Sequence, residues 1–105
     1  MKFLTQLFKA VANERRIRIL ELLLKESNLS AGTIGEKLKI PTATVCRNLK
    51  LLERVNLVVS RRRNVVVYYS INANRADVYS QHVLDVIKRR TKKKTASGVS
   101  HVISR

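Results

Sequence analysis

Ala43, Arg47, Lys50 and Arg54 recur at spacings of four, three and four residues, which on a helix places them on one face. Val45, Leu49 and Leu52 take the opposite face, with Thr44 and Cys46 on the flanks. A cationic helix of this kind fits the major groove of duplex DNA, where its N-terminal residues reach base edges. Arg47 is suited to donate two parallel hydrogen bonds to a guanine. Thr42 and Thr44 suit a phosphate or a thymine methyl, while Lys50 and Arg54 lie further along, where backbone contact is favoured. The same cations also fit an ordinary solvated helix face.

A second basic cluster separates those readings. Arg61, Arg62 and Arg63 are consecutive, and three adjacent cations repel one another unless a counter-charge is near. A phosphate backbone or a minor groove supplies one. The competing reading is a sheet edge that uses charge to block aggregation. Lys88, Arg89, Arg90, Lys92, Lys93 and Lys94 form a third run. It either adds nonspecific affinity or caps a helix and keeps the chain soluble.

Other chemistry is sparse. His82 and Asp85 are three residues apart and can share a helix face, which serves a metal or a surface or interface hydrogen bond. His101 lies near the end of the chain. Cys46, the one cysteine, has no partner for an internal disulfide, which fits a reducing compartment. Beside Arg47 and Lys50 it is also a candidate redox handle. No glycine-rich phosphate loop, carboxylate pair or nucleophile–base pair stands out, so an enzyme is not supported. A metal site needs several convergent ligands, and the sequence implies neither a metal nor another cofactor.

Twenty-two Lys and Arg against seven Asp and Glu leave a formal charge of +15, which favours a polyanionic partner, with nucleic acid ahead of an anionic membrane surface. The 105 residues suffice for one domain, and 45% hydrophobic content argues for a folded chain. No apolar run is long enough to span a bilayer and the first residues lack a signal peptide's pattern, so a cytoplasmic protein is expected.

The elements that must position these residues follow from periodicity. Leu4, Leu7, Phe8 and Val11 form one helical stripe, and Asn13 caps a second helix with Ile17, Leu20, Leu23 and Leu24 inward. Ser30 caps a short third helix that buries Ile34 and Leu38, and Gly32 and Gly35 within it imply a helix crossing at close range. Pro41 and Thr42 open the fourth helix, and Asn56 suits the left-handed position past its end. Leu57–Ser60 and Val65–Ile71 read as a hairpin with Arg61–Asn64 at its tip. A fifth helix is expected from about Arg75 to Arg90 with Tyr79, Val83, Val86 and Ile87 on one stripe, and then a mobile tail. The expected fold class is therefore mainly α with a small β-hairpin, in the order α1-α2-α3-α4-β-hairpin-α5. Residues 1–90 form the domain and 91–105 the basic tail.

Helix-turn-helix followed by a basic hairpin is a winged helix-turn-helix. Leu7-Phe8-Lys9-Ala10-Val11-Ala12-Asn13-Glu14-Arg15-Arg16-Ile17-Arg18-Ile19-Leu20 resembles the opening of the ArsR/SmtB-type repressors. Thr44-Val45-Cys46-Arg47-Asn48-Leu49-Lys50-Leu51-Leu52-Glu53 is similar to that family's recognition helix, and Leu57 to Arg63 with Val67-Tyr68-Tyr69 to its wing. The resemblance runs from Phe3 to Ile71 and implies a homodimer built from the first and last helices on an operator with two-fold symmetry. The apolar stripes support the same pairing, with Leu4, Leu7, Phe8, Tyr79, Val83, Val86 and Ile87 at the interface.

The chain departs from the family pattern in three places. Asn56 and Asn64 replace the usual glycines, and Cys46 stands where serine is common. Metal-responsive members carry a Cys-x-Cys pair in the third helix, or Asp-x-His and His-x-x-Glu in the last. Here Ala31–Leu38 has no cysteine, and the last helix offers only His82 and Asp85. The expectation is a sequence-specific regulator of duplex DNA, a repressor, acting as a homodimer. The alternatives are an architectural or nonspecific nucleic-acid binder, and an interaction module that has lost DNA readout.

Overall fold

Local chemistry sets most helix ends in the computed structural model, which describes residues 2–73 and 77–90. The first helix, α1 (Lys2–Val11), buries Leu7 and Ala10. Asn13 then caps α2 (Glu14–Lys25), its side-chain oxygen accepting from the Arg16 N–H at 3.1 Å. Such a cap is worth about 1 kcal/mol. Helix α2 buries Ile19, Leu20 and Leu23. Asn28 turns the chain with φ of 60°, and Ser30 caps α3 (Ala31–Leu38) by accepting from Thr33 N–H at 3.2 Å.

The turn between α3 and α4 (Thr42–Arg54) is tight. Lys39 adopts the left-handed conformation, φ 59° and ψ 49°, and both its N–H and that of Ile40 reach the Gly35 carbonyl. A Cβ on Gly35 would stand 2.6 Å from the Ile40 carbonyl oxygen, so this glycine is required by the turn. The close approach expected of a neighbouring helix holds at Gly35, where Thr42 at the start of α4 would stand 3.5–3.7 Å from the Cβ beside the turn carbonyl, and fails at Gly32, which has nothing nearer than Ser30 Oγ at 4.0 Å. Pro41 sits just before α4 with ψ of 139°, outside the first turn. Val45, Leu49 and Leu52 are buried as their spacing requires, and Ile34 is too, whereas Leu38 is half-buried. Asn56 takes the left-handed position past α4, φ 64°.

The β region differs from a bare hairpin. Strand β1 (Leu29–Ser30) pairs with β3 (Val66–Ile71), which also pairs with β2 (Val58–Arg63), giving an antiparallel sheet in the order β1-β3-β2. A two-residue strand carries too little periodicity to read from sequence. Arg61, Arg62 and Arg63 belong to β2, not to the tip. The tip is Asn64–Val65, with Asn64 at φ 59°, because Arg63 and Val66 still pair.

The last helix, α5, occupies residues 78–90, and Ser80 N–H donates to Asp77 Oδ1 at 2.7 Å across its first turn. The start expected near Arg75 and the tail at 91–105 lie outside the described residues. Leu84 and Ile87 pack with Leu7, Leu20, Leu23, Leu49 and Leu52 in one core. No described helix is long and apolar enough to cross a membrane.

Candidate nucleic-acid interface

Burial of Val45, Leu49 and Leu52 leaves the other face of α4 to solvent. Thr42, Ala43, Arg47, Lys50 and Arg54 are exposed, and Thr44 and Cys46 are half-buried at the flank. Arg47 Nη2 donates to Thr44 Oγ1 at 3.2 Å, an exposed bond one turn back along the helix. It holds the guanidinium over the N-terminal half of α4 and is weak enough to be exchanged for a base. Glu53 is the only carboxylate on α4, and it accepts from Ser60 Oγ at 2.7 Å, tying the helix to β2.

Alternation along β2 divides the arginines. Arg61 pairs opposite Tyr68 and Arg63 opposite Val66, so the two share one sheet face, and Arg62, opposite Val67, is on the other. Arg61, Arg63, Tyr68 and Asn28 line a recess of about 380 Å³. Among the described residues, none of the three arginine side chains has a hydrogen-bond or ion-pair partner. Arg16, Arg18 and Arg90 differ in this respect. Arg18 donates to the Leu38 carbonyl at 2.8 Å, capping α3, and Arg90 pairs with Glu21.

Three polar residues that hold α4 have no role assigned to them from sequence. Asn48 is only 8% exposed; its Oδ1 accepts from Arg16 Nη1 at 3.0 Å and its Nδ2 donates to the Thr44 carbonyl at 3.0 Å. The Arg16 guanidinium also donates to the carbonyls of Ala10 and Lys9 at the end of α1. Ser80, fully buried, donates from Oγ to the Val55 carbonyl at 3.2 Å. Their signal was periodicity: Arg16 is in step with Ile19, Leu20 and Leu23, Asn48 with Val45 and Leu52, and Ser80 with Leu84 and Ile87.

Tyr69 is buried in β3 opposite Ser60. Its phenol is held above the ordinary value of 10.0, first by burial and then by electrostatic repulsion from Glu53 and, least, from Cys46.

The expected interface stripe divides in two. Leu7 and Ile87 are core residues of the single chain, because the inner face of α5 is Ser80, Leu84 and Ile87. Phe8 (55%), Tyr79 and Val86 (65%) stay exposed, and Leu4 and Val83 are half-buried. Phe8, Val11, Ile17, Val83, Val86 and Ile87, together with His82 and Arg90, line a largely apolar groove of about 430 Å³. His82 and Asp85 are both exposed. Among the described residues no group of three or more His, Cys, Asp or Glu is placed to hold a metal ion.

Comparison with known proteins agrees with this geometry. The family described as "HTH domain" matches residues 15–70. The transcriptional activator HlyU of Vibrio cholerae is 36% identical over 67 residues, 64% of this chain and 61% of HlyU. The structure of reduced HlyU superposes with a TM-score of 0.67 at 28% identity, covering 84% of this chain and 87% of that one. The transcriptional repressor SdpR of Bacillus subtilis is 30% identical over 69 residues, 66% of this chain and 76% of SdpR. The homodimeric winged helix-turn-helix domain of Mb0332 from Mycobacterium bovis has the same fold, with a TM-score of 0.70 at 24% identity over 95% of this chain and 84% of that one.

Proposed function

The chain belongs to the HTH-domain family, among the ArsR/SmtB-type winged helix-turn-helix transcriptional regulators, and from that premise we propose that it is a homodimeric repressor that reads a specific duplex DNA sequence. The observation that carries the proposal is the exposed face of α4, where Arg47, Lys50 and Arg54 stand without a carboxylate among them, next to a wing whose arginine side chains have no partner among the described residues. Arg47 discriminates bases and Thr42, Ala43, Thr44 and Cys46 line its approach, while Lys50, Arg54, Arg61, Arg62 and Arg63 bind phosphates. The apolar groove between α1 and α5 is the interface, with Phe8, Val83 and Val86 at its centre. The homodimeric state of Mb0332 supports a dimer. Relatives include both an activator and a repressor. Repression is preferred because occupancy of a promoter suffices for it and requires no further contact surface.

The test is selection of binding sites from random duplex DNA, repeated with Arg47→Ala. An enriched palindrome, bound roughly 10- to 100-fold more weakly by the variant and with preference relaxed at one base pair, supports sequence-specific regulation. The second reading, an architectural binder, is favoured by the +15 charge. No enrichment, with equal weakening of all duplexes, would establish it instead.

A further inference from the structure

The recognition helix is held to the body of the protein by two kinds of contact. Val45, Leu49 and Leu52 bury apolar surface, which is stabilising but non-directional and does not by itself select one tilt. Hydrogen bonds are directional, and α4 has one set at its middle and another at its end. At the middle, Arg16 joins the last carbonyls of α1 to Asn48. At the end, Ser80 of α5 holds the Val55 carbonyl.

The chemistry at the first point is selective. A guanidinium only donates and the Thr44 carbonyl only accepts, so the residue between them must accept at one end and donate at the other. Asparagine does both in one planar group, and at 8% exposure water is a poor substitute. Leucine would fill the space and do neither, and aspartate would set an oxygen against the carbonyl.

We propose that Arg16 and Asn48 are positioning residues that fix the angle of α4 to α1, and thereby the half-site spacing that the dimer accepts. The inference rests on the dimeric, DNA-reading function above. Helix α1 borders the apolar groove through Phe8 and Val11, so whatever fixes α4 against α1 also fixes it against the two-fold axis. Without the bond at Asn48, α4 keeps its ties near the C-terminal end, Val55 to Ser80 and Glu53 to Ser60, and loses the side-chain link at its middle that sets its tilt against α1. Each protomer would still grip a half-site, but the separation of two recognition helices, about 34 Å for successive major grooves, would no longer be held.

The experiment has one arm without DNA and one with it. In a Cys46→Ser background, Lys50→Cys places one spin label on the exposed face of each α4, and pulsed electron spin resonance reads the distance between protomers. Asn48→Leu, Arg16→Met and the double variant should all widen that distribution about twofold, the double no more than either single, because they break the same link. With Cys46 and Lys50 restored, the variants should bind an isolated half-site within about threefold of the wild type, yet lose roughly five- to tenfold of its preference for the selected palindrome over one lengthened by a base pair. Arg16→Lys, which keeps the charge and donates to fewer partners, should lie between. It also carries the test if Asn48→Leu does not fold. Folded, dimeric variants with the wild-type distance distribution and spacing preference would overturn the proposal. A wild type that prefers no spacing at all would sink the operator-reading function, while the distance arm still decides whether Arg16 and Asn48 set the helix.

Discussion

Gly35 lies against the Ile40 carbonyl so closely that a Cβ added to it would stand 2.6 Å from the oxygen. The turn of the helix-turn-helix thus closes on a position where no side chain fits. Gly35→Ala should destabilise the fold by about 1–3 kcal/mol, since turn backbone cannot move aside cheaply. Gly32→Ala, in the same helix with open space around it, should gain about 0.5–1 kcal/mol from lower chain entropy. Urea unfolding of both variants is the measurement, and the same sign for both would contradict this account.

The wing arginines should separate by face. None has a described partner, so alanine at any of them should leave stability unchanged. The slope of log affinity against log salt should fall by about 0.9 for each phosphate contact removed. Arg61 and Arg63 share a recess and should lose more together than Arg62, on the other face, loses alone. A slope untouched by the triple replacement would take the wing off the phosphates.

Val86 and Ile87 are neighbours with opposite expected outcomes. Val86 is 65% exposed in the single chain, so glutamate costs nothing there and is buried only on pairing. Val86→Glu should yield a folded monomer in analytical ultracentrifugation. Ile87→Glu buries an unpaired charge in the core and should unfold the chain. A Val86→Glu protein that remains dimeric would place the interface elsewhere.

Alkaline stability should depend on Tyr69. Its phenol is raised above 10.0 in the fold, chiefly by burial, so below that pH it is neutral in both states and its contribution is intact. As pH rises past the unfolded value, the unfolded chain releases the proton more readily than the folded one, and stability falls until the folded phenol ionises too. Tyr69→Phe should flatten the decline in melting temperature above about pH 10 and remove the most alkaline step of phenolate absorbance. An unchanged decline would mean that other groups carry it.

Metals should do little. Zinc, cadmium or arsenite at low micromolar concentration in reducing buffer should leave operator affinity within about threefold, ~0.7 kcal/mol, because no described ligand set distinguishes two states of the dimer. A tenfold loss that survives Cys46→Ser and vanishes in His82→Ala would make the last helix a sensor.

The sequence by itself determined the order of helices, the cationic face around Arg47 and the left-handed turns at Asn56 and Asn64. Each of these is written in local spacing or in one residue's backbone preference. The apolar stripe of α4 was legible for the same reason. What lies inside the stripes was not: Arg16, Asn48 and Ser80 stand at apolar positions, and only tertiary structure supplies the carbonyls and amide that satisfy them. The third strand at Leu29–Ser30 is too short to show a period and exists because β3 has a free edge there. Whether Leu7 and Ile87 face a partner or their own core was likewise undecidable from spacing. Periodicity says that a face is covered, and only the packing of α1, α2 and α5 says by what.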